Sequence, residues 1–326
     1  MGGKISFQGI PISKDRIVVV TGGNTGIGYE TAKWMAMLGA SVIIACRSEK
    51  RAQEAITRMK SDFQREKEQK TEGVTQTDDL SVEFMKLDLS SLKSTKEFVD
   101  QFTESGRPLN TLICNAGIAF HPLEYTEDGN ETMFQVNYLS HLLLTLHLLP
   151  IMRRSGDDNR VILVSSHGHN NHSTPFSVDK IQGKQHNADN FPRFKYYGNS
   201  KLYQILQMYF MNRRLADSNV CVLSVNPGLV DTEITRGFQD SSWMTWSWKI
   251  VRAFSKSPAE GAEHTLNAAI NPALKGVRDV YFQECKPKNT NAVARNKDIQ
   301  ESVLEYSLSC LNDYITDAIR NEWKTK

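Results

Sequence analysis

The 326-residue sequence has almost no excess of charge of either sign. Lys and Arg together number 39 and Asp and Glu number 37, so the formal net charge is +2. A nucleic-acid-binding domain is typically strongly basic or carries a basic stripe on one face. We therefore expect no nucleic-acid partner.

Long hydrophobic runs are also missing. The best candidate, residues 142–149, is interrupted by Thr145 and His147 and falls far short of the ~20 residues of a membrane-spanning helix. The first twenty residues do not show the basic start and apolar core of a secretory signal. The sequence thus predicts no transmembrane helix and no signal peptide, and a cytoplasmic location.

Cysteine is scarce, and the count of five is odd. Cys46, Cys114 and Cys221 lie in apolar, strand-like runs, where cysteine usually behaves as a small buried hydrophobe. We expect no disulfide framework. No cysteine accompanies the histidines of residues 167–186, and a zinc site needs three or four closed ligands, so we expect no metal.

Apolar strand-like runs alternate with amphipathic helical segments along the chain. This rhythm is typical of βαβ units, in which a parallel sheet is covered on both faces. We predict an α/β fold with a single Rossmann-type doubly wound parallel sheet and helices on both faces. The predicted strands are residues 17–20, 41–45, 81–87, 111–114, 161–164 and 220–225, and the predicted helices 27–38, 48–60, 92–102, 132–152, ending near Pro150, and 197–215.

The domain organisation is predicted to be simple. Residues 1–14 form an N-terminal arm, and residues 15–326 form one domain with an integral lid at about 235–257. Residues 64–80 read as a loose loop, and residues 168–195 as a long polar insertion between a strand and a helix. Segments of this length in a compact domain are usually functional or disordered.

A glycine-rich turn follows the first strand and opens the first helix. It reads TGGNTGIG from Thr21 to Gly28, and Gly22, Gly26 and Gly28 are the positions that need to lack a side chain. Such a turn lets the backbone approach a pyrophosphate, while the helix N-terminus supplies N–H donors and positive partial charge. The turn predicts a dinucleotide site.

The residue after the second strand bears on which cofactor is bound. An acidic residue there would bind the ribose hydroxyls and repel a 2′-phosphate, whereas this chain has Cys46 followed by Arg47. The planar, always-charged guanidinium of arginine suits a phosphate. Arg47 therefore favours NADP(H) over NAD(H), the alternative being a solvated surface arginine.

Tyr197 and Lys201 are spaced i, i+4, so that they share one face of a helix. A free tyrosine has a pKa of ~10, and a nearby ammonium favours the phenolate and lowers that pKa. The pair is predicted to exchange protons with a substrate. Tyr196 is a poorer candidate, because its spacing to Lys201 is i, i+5.

In this order the motifs resemble the classical short-chain dehydrogenase/reductase family over about residues 15–281. Further matches are an LDL, an NAG, an FQVNY, a VSS and a PGLVDT segment, which begin at residues 87, 115, 134, 164 and 227. The segments ACR, from residue 45, and KSPAEGA, from residue 256, are similar to its retinol dehydrogenase and WW-domain oxidoreductase branch. The resemblance implies catalytic roles for Asn137, Ser166, Tyr197 and Lys201. It implies cofactor contacts for Gly22, Asn24, Gly26, Ile27, Gly28, Arg47, Asp88, Asn115, Ala116, Gly117, Tyr197, Lys201, Pro227, Gly228 and Thr232.

The serine assignment has two candidates, Ser165 and Ser166, which point to opposite faces if the strand persists. The family resemblance favours Ser166. The gap from Ser166 to Tyr197 is 197 − 166 = 31 residues, which is wider than in many members of the family.

The resemblance implies hydride transfer between NADP(H) and a carbonyl or alcohol. In the implied mechanism Tyr197 donates its proton, Ser166 bonds the same substrate oxygen, and Asn137 holds a water that links Lys201 to solvent. The aromatic residues Trp243, Trp246, Trp248 and Phe254 fall where the family builds its substrate lid, which favours a lipophilic retinoid, steroid, prenol or aldehyde. They could instead fill core. The alternative function is an NADP(H)-binding regulatory protein with little turnover.

The first six residues, MGGKIS, match an N-myristoylation pattern on Gly2. One acyl chain binds a membrane only marginally, so a second signal is needed. The segment 243–254, with Lys249 and Arg252, is a candidate interfacial helix. The sequence therefore predicts peripheral membrane contact, and it leaves a homodimer open.

Overall fold

The computed structural model describes residues 12–172, 177–230 and 256–324. Their central element is an eight-stranded sheet in the order β3-β2-β1-β4-β5-β6-β7-β8. The strands are β1 Ile17–Thr21, β2 Ser41–Cys46, β3 Val82–Lys86, β4 Thr111–Cys114, β5 Asn159–Val164, β6 Val220–Asn226, β7 Tyr281–Gln283 and β8 Lys286–Lys288. All neighbours pair in parallel except β7 and β8, which are antiparallel. The predicted doubly wound sheet is confirmed, with an antiparallel edge strand that the sequence did not reveal.

Helices cover both faces of the sheet. They are α1 Gly26–Met37, α2 Glu49–Glu68, α3 Leu92–Glu104, α4 Thr132–Phe134, α5 Ser140–Met152, α6 Arg193–Arg214, α7 Pro258–Ile270, α8 Ala292–Arg295, α9 Lys297–Cys310 and α10 Asp317–Trp323. No helix in the described ranges is both long and apolar enough to span a bilayer.

The strands are apolar because both of their faces are buried. Along β1, Val18 and Val20 face one core, which is shared with α1, α2 and α7. Val19 faces the other core, which is shared with α3, α5, α6 and α9. Successive strand residues point to opposite faces, so a central strand covered on both sides has no solvent-facing position for a polar residue.

Helix α2 is longer than predicted. The loop expected from residue 64 begins only after Glu68, because α2 runs from Glu49 to Glu68. The last turn consists of charged residues that form helices well but show no apolar periodicity. Lys67 also anchors it, donating from Nζ to the carbonyl oxygen of Thr77 at 2.8 Å. The prediction of a loop from residue 64 is therefore wrong, because a helix can continue where the apolar periodicity stops.

The predicted helix 132–152 is interrupted. Between α4 and α5 the chain forms one π-helical turn, Gln135–Leu139, which adds a residue to the helical repeat. Pro150 lies inside α5 and does not end it. The π turn contains Asn137, and such turns are frequent at functional sites.

The insertion 168–195 packs more tightly than a loose loop. Its described part includes the short 3₁₀ turns His167–Asn170 and Val178–Lys180. Gln182 is buried and bridges to the start of α4, where its Oε1 accepts from the Glu131 amide at 2.6 Å. Ile181 and Phe191 are buried as well.

Candidate active site

A cavity of about 500 Å³ opens at the carboxyl edge of the sheet, where β1 and β4 lie side by side. The strand order changes direction here, and open α/β sheets bind ligands at such switch points. Twelve of the predicted site residues line this one cavity. They are Gly22, Gly26, Ile27, Gly28, Asn115, Ala116, Gly117, Ser166, Tyr197, Lys201, Pro227 and Gly228.

The glycine-rich turn forms one wall of the cavity. Gly22 and Gly26 have φ of +67° and +58°, in the left-handed region that favours glycine. A Cβ on Gly28 would collide with the side-chain amide of Asn115 and with the backbone oxygen of Gly22. That amide also donates to the Thr21 carbonyl oxygen at 2.9 Å, so β4 and the turn are tied together.

The amino end of α1 suits an anion. The residue before the helix, Thr25, makes no side-chain capping bond, and no acidic residue lies in the first turn. By contrast, Ser48 caps α2 and Ser91 caps α3. The first amides of α1 and its positive partial charge therefore face the cavity beside the glycines, as a dinucleotide pyrophosphate requires.

The basic residues near the turn are arranged differently from the prediction. Arg47 is exposed and lies outside the cavity wall, whereas Arg51, at the start of α2, lines it. Asn24 lies at a neighbouring cavity of about 810 Å³, which Lys50, Arg51 and Arg58 also line. The sequence analysis missed Arg51, although it lies one helical turn after Arg47.

Two other predicted cofactor contacts are not among the residues that line the cavity. Asp88 follows β3, outside the cavity wall, where its Oδ1 accepts from the amide and hydroxyl of Ser90 at 3.0 and 2.6 Å. Thr232 lies outside the described residues, as do the aromatics Trp243, Trp246, Trp248 and Phe254.

The structure separates the two serines at the end of β5. Ser165 is buried and donates from Oγ to the Lys201 carbonyl oxygen at 2.8 Å, which ties it to the backbone of α6. Ser166 Oγ instead accepts from the Gly168 amide at 3.1 Å and hydrogen-bonds Tyr197. Ser166 is therefore the serine that contacts the predicted proton donor.

Tyr197 is held in α6 with its ring against Phe120, at a centroid distance of 5.0 Å. Burial raises the pKa of Tyr197, and the hydrogen bond from Ser166 lowers it by a smaller amount. The sequence predicted that Lys201 would lower this pKa. No such effect is resolved in the structure, where the Lys201 ammonium lies 5.9 Å from the centroid of the tyrosine ring.

Lys201 is buried, and burial lowers its pKa to about 7. Its Nζ donates to the Val164 carbonyl oxygen at 2.9 Å and to Gln204 Oε1 at 3.2 Å. Gln204 is fully buried one turn further along α6. The sequence analysis missed it, although its i, i+3 spacing from Lys201 is a usable signal.

Asn137 lies behind the cavity wall and is fully buried. Its Nδ2 donates to the Ile118 carbonyl oxygen at 2.9 Å and to Ser200 Oγ at 2.8 Å, and its Oδ1 accepts from the Ile118 amide at 2.8 Å. The side chain thus fastens the segment after β4 to α6. Both amide hydrogens of the Asn137 side chain are therefore engaged, and the water that the resemblance implies stays a prediction.

Apolar residues that the sequence analysis did not select also line the cavity, among them Phe120 and Leu229, and Phe194 packs against Phe120. Phe120 has a left-handed φ of +57° and lies 4.5 Å from Phe194, centroid to centroid. Phe194 is 53% exposed and Leu229 is 51% exposed, which is unusual for side chains of this size. A positive φ is uncommon for a residue other than glycine, and the sequence does not reveal that Phe120 adopts one.

The histidine-rich segment forms no metal cluster within residues 12–172, 177–230 and 256–324. His169 is buried, and its Nδ1 lies 2.8 Å from the Ser166 carbonyl oxygen.

These observations describe a Rossmann-type fold in which a glycine-rich turn and a tyrosine–lysine pair line one cavity. The family model for the short chain dehydrogenase matches residues 16–178. The fold is shared with a crystal structure of an uncharacterised protein from Mycobacterium paratuberculosis, with a TM-score of 0.71, 24% identity and coverage of 96% of this chain and 98% of the other.

Three curated relatives extend the match along nearly the whole chain. Mouse retinol dehydrogenase 12 is 35% identical over 90% of this chain and 85% of its own length. Human polyprenol dehydrogenase is 34% identical over 92% of this chain and 86% of its own length. Human WW domain-containing oxidoreductase is 36% identical over 83% of this chain, which spans 62% of that protein's length.

The chain belongs to the short-chain dehydrogenase family, and to the branch that includes the retinol dehydrogenases. It is therefore an oxidoreductase of a family that binds a nicotinamide cofactor and acts on CH–OH donors. The predicted family resemblance is confirmed.

Proposed function

We propose that this protein is an NADP(H)-dependent oxidoreductase that interconverts a lipophilic alcohol and its aldehyde or ketone. The observation that carries the proposal is the composition of one cavity. The glycine-rich turn and the residues Ser166, Tyr197 and Lys201 line the same cavity, together with apolar side chains that include Phe120 and Leu229.

The cofactor would be held by the residues that fit it. Gly22, Gly26 and Gly28 admit the pyrophosphate to the amino end of α1, and Lys201 lies opposite them in the same cavity. When bound, the nicotinamide ring supplies or accepts a hydride.

In the reductive direction Tyr197 Oη donates its proton to the oxygen that becomes an alcohol. The Ser166 hydroxyl hydrogen-bonds the same oxygen and orients the carbonyl. No effect of Lys201 on the pKa of the resting tyrosine is resolved. After proton transfer, however, an ammonium at Lys201, which Val164 and Gln204 hold 5.9 Å from the ring centroid, would attract the phenolate left on Tyr197.

The preference for NADP(H) is supported by two observations: the residue directly after β2 is Arg47 and not an acidic residue, and Arg51 lies in the first turn of α2. In short-chain dehydrogenases an acidic residue after β2 binds the ribose hydroxyls of NAD(H), whereas an arginine accommodates a 2′-phosphate. Arg51 also lines the cavity itself.

The lipophilic substrate class is supported by the apolar side chains that line the cavity, among them Ile118, Phe120 and Leu229. Relatives named retinol dehydrogenase and polyprenol dehydrogenase point in the same direction. A long apolar substrate would cover the exposed Leu229 and Phe194 side chains.

A cofactor-oxidation screen tests the proposal. NADPH and NADH are each supplied with retinal, a prenal, a steroid ketone and a short water-soluble aldehyde, and the loss of reduced cofactor is followed. We expect the highest kcat/KM with NADPH and one of the lipophilic carbonyls. Turnover of the short aldehyde alone, or a preference for NADH, contradicts the corresponding half of the proposal.

A further inference from the structure

A fully buried histidine lies directly behind the predicted catalytic residues. His141 stands in the first turn of α5, four residues after Asn137. Its Nδ1 lies 3.1 Å from the backbone oxygen of Asn137, inside the π turn. Its Nε2 lies 3.0 Å from the hydroxyl of Thr21, at the end of β1. One ring therefore connects the end of β1 to the π turn, and His141 and Thr21 are 120 residues apart in the sequence.

The partners determine which ring nitrogen carries the hydrogen. A carbonyl oxygen can only accept, so Nδ1–H donates to Asn137. Thr21 Oγ1 already accepts from the amides of Asn115 and Ala116, both at 2.9 Å, so it meets Nε2 as a donor. Its O–H has two acceptors, of which His141 Nε2 at 3.0 Å is nearer than the Ile113 carbonyl oxygen at 3.3 Å. Burial lowers the pKa of His141 to about 4, which keeps the ring neutral and this direction of hydrogen bonding in place.

Both ends of this chain of hydrogen bonds adjoin residues that line the cavity. Thr21 immediately precedes Gly22, the first glycine of the cofactor turn, and its carbonyl oxygen holds the Asn115 amide. Asn137 fastens the backbone of Ile118 and the side chain of Ser200, which is next to Lys201. A shift at either end would move one wall of the cavity relative to the other.

We propose that His141 is a positioning residue, which holds the cofactor turn and the Asn137 segment in register without touching cofactor or substrate. The proposal rests on the proposed oxidoreductase function of the same cavity. The His141 ring makes two contacts, one with Thr21 and one with Asn137. Two conservative replacements of His141 can remove these contacts one at a time.

The experiment compares His141→Asn with His141→Gln. The amide nitrogen of asparagine takes the place of Nδ1 and keeps the Asn137 contact, whereas the amide oxygen of glutamine takes the place of Nε2 and keeps the Thr21 contact. Cofactor affinity is measured by titration of NADPH fluorescence, and kcat by cofactor oxidation. We expect His141→Asn to weaken NADPH binding roughly five- to tenfold and to leave kcat within about twofold of the wild-type value. We expect His141→Gln to lower kcat roughly five- to tenfold and to leave NADPH affinity within about twofold.

A structural role alone gives a different pattern. The matched control is His147→Gln, because His147 lies on the same helix and its Nε2 contacts the Tyr314 carbonyl oxygen at 2.8 Å, away from the cavity. We expect this control to leave both parameters unchanged, with Tm measured for every variant. The proposal is overturned if both His141 variants alter affinity and kcat together in proportion to their loss of Tm, or if neither variant alters either parameter.

The titration also distinguishes this proposal from the proposed function. If the wild-type protein binds NADPH but none of the carbonyl compounds supports its oxidation, the proposed function fails. The difference in NADPH affinity between the two His141 variants still tests the Thr21 contact in that case. If the wild-type protein is active and the two variants bind NADPH equally well, the positioning role of His141 fails alone.

Discussion

Proton transfer is the residue-scale question, and Tyr197 is at its centre. Burial raises the pKa of Tyr197 and lowers that of Lys201 to about 7, so the protein alone makes both ionised forms costly. The neutral tyrosine is consequently the resting form, which suits a group that donates a proton during reduction. Ser166 is the neighbour that favours the phenolate in this structure.

Replacing Tyr197 by phenylalanine keeps the ring and removes the proton. We expect turnover to fall by at least ~10²-fold, as for loss of a general acid–base group, with little change in NADPH affinity. The matched control is Tyr196→Phe, because the Tyr196 hydroxyl donates to the Lys180 carbonyl oxygen at 2.8 Å instead of facing the cavity. Steady-state kinetics of both variants check this, and near-normal turnover by Tyr197→Phe would contradict the mechanism.

Cofactor selection is the second residue-scale prediction. Arg47→Ala should weaken NADPH binding by about 1.5–3 kcal/mol, because a charge-assisted partner of the 2′-phosphate is lost, and should leave NADH almost unaffected. Parallel binding titrations of Arg51→Ala serve as the comparison, since Arg51 lines the cavity and Arg47 is exposed. Equal weakening of the two cofactors by Arg47→Ala would show that this residue does not select phosphate.

The interrupted helix is the informative feature at the scale of elements. Before the π turn, Glu131 caps α4 and accepts from the amides of Met133 and Phe134 at 3.0 and 2.7 Å. Burial raises the pKa of Glu131 to about 7, because desolvation outweighs these two bonds. The cap therefore titrates within the physiological range.

Glu131→Gln tests this titration. The folded protein holds the Glu131 proton up to a pH of about 7, whereas the unfolded chain releases it near 4.5, so this contribution to stability is present at low pH and is lost as pH rises between those values. We expect the free energy of unfolding of the wild type, minus that of the variant, to fall by up to about 3 kcal/mol from about pH 5 to about pH 8.

Denaturant titrations at the two pH values measure this difference. Glu260→Gln is the matched control, because the exposed Glu260 caps α7 through Ser257 and its pKa is lowered. The contribution of Glu260 to stability is lost only at acidic pH. The free energy of unfolding of the wild type, minus that of Glu260→Gln, should therefore not change between about pH 5 and about pH 8. A flat profile for Glu131→Gln would show that the buried carboxyl is ionised throughout.

At the scale of the whole molecule, the sheet brings the site together. The ends of β1, β4, β5 and β6 meet at one edge and deliver Gly22, Asn115, Ser166 and Pro227 to the same cavity. Parallel strands connected by helices place every carboxyl end on the same side, so residues far apart in sequence become neighbours. The site depends on the sheet as a unit.

Location is a whole-molecule prediction, and it depends on residues outside the described ranges. We expect acylation of Gly2 when the protein is made in a eukaryotic host, and partial recovery with membranes, since one myristoyl chain binds with only about 10⁴ M⁻¹. Mass spectrometry of the N-terminal peptide and fractionation check this, with Gly2→Ala as the control. An unmodified or acetylated Gly2 in a wholly soluble protein would contradict it.

The family motifs were readable because each depends on local chemistry. The turn at Gly22–Gly28 needs residues without side chains, and the Tyr197–Lys201 pair needs one helical turn. Helix α2 was cut short and the π turn at Asn137 was missed, because charged helix formers and an inserted helical residue leave no mark on apolar periodicity.

By itself the sequence determined the alternation of strands and helices, the dinucleotide turn and the tyrosine–lysine pair, since these depend on residue type and short spacing. Only the tertiary structure decided that Ser166, not Ser165, contacts Tyr197, that Arg51 lines the cavity and that His141 joins Thr21 to Asn137. These relations depend on side-chain direction and on packing between distant segments, which no local pattern encodes.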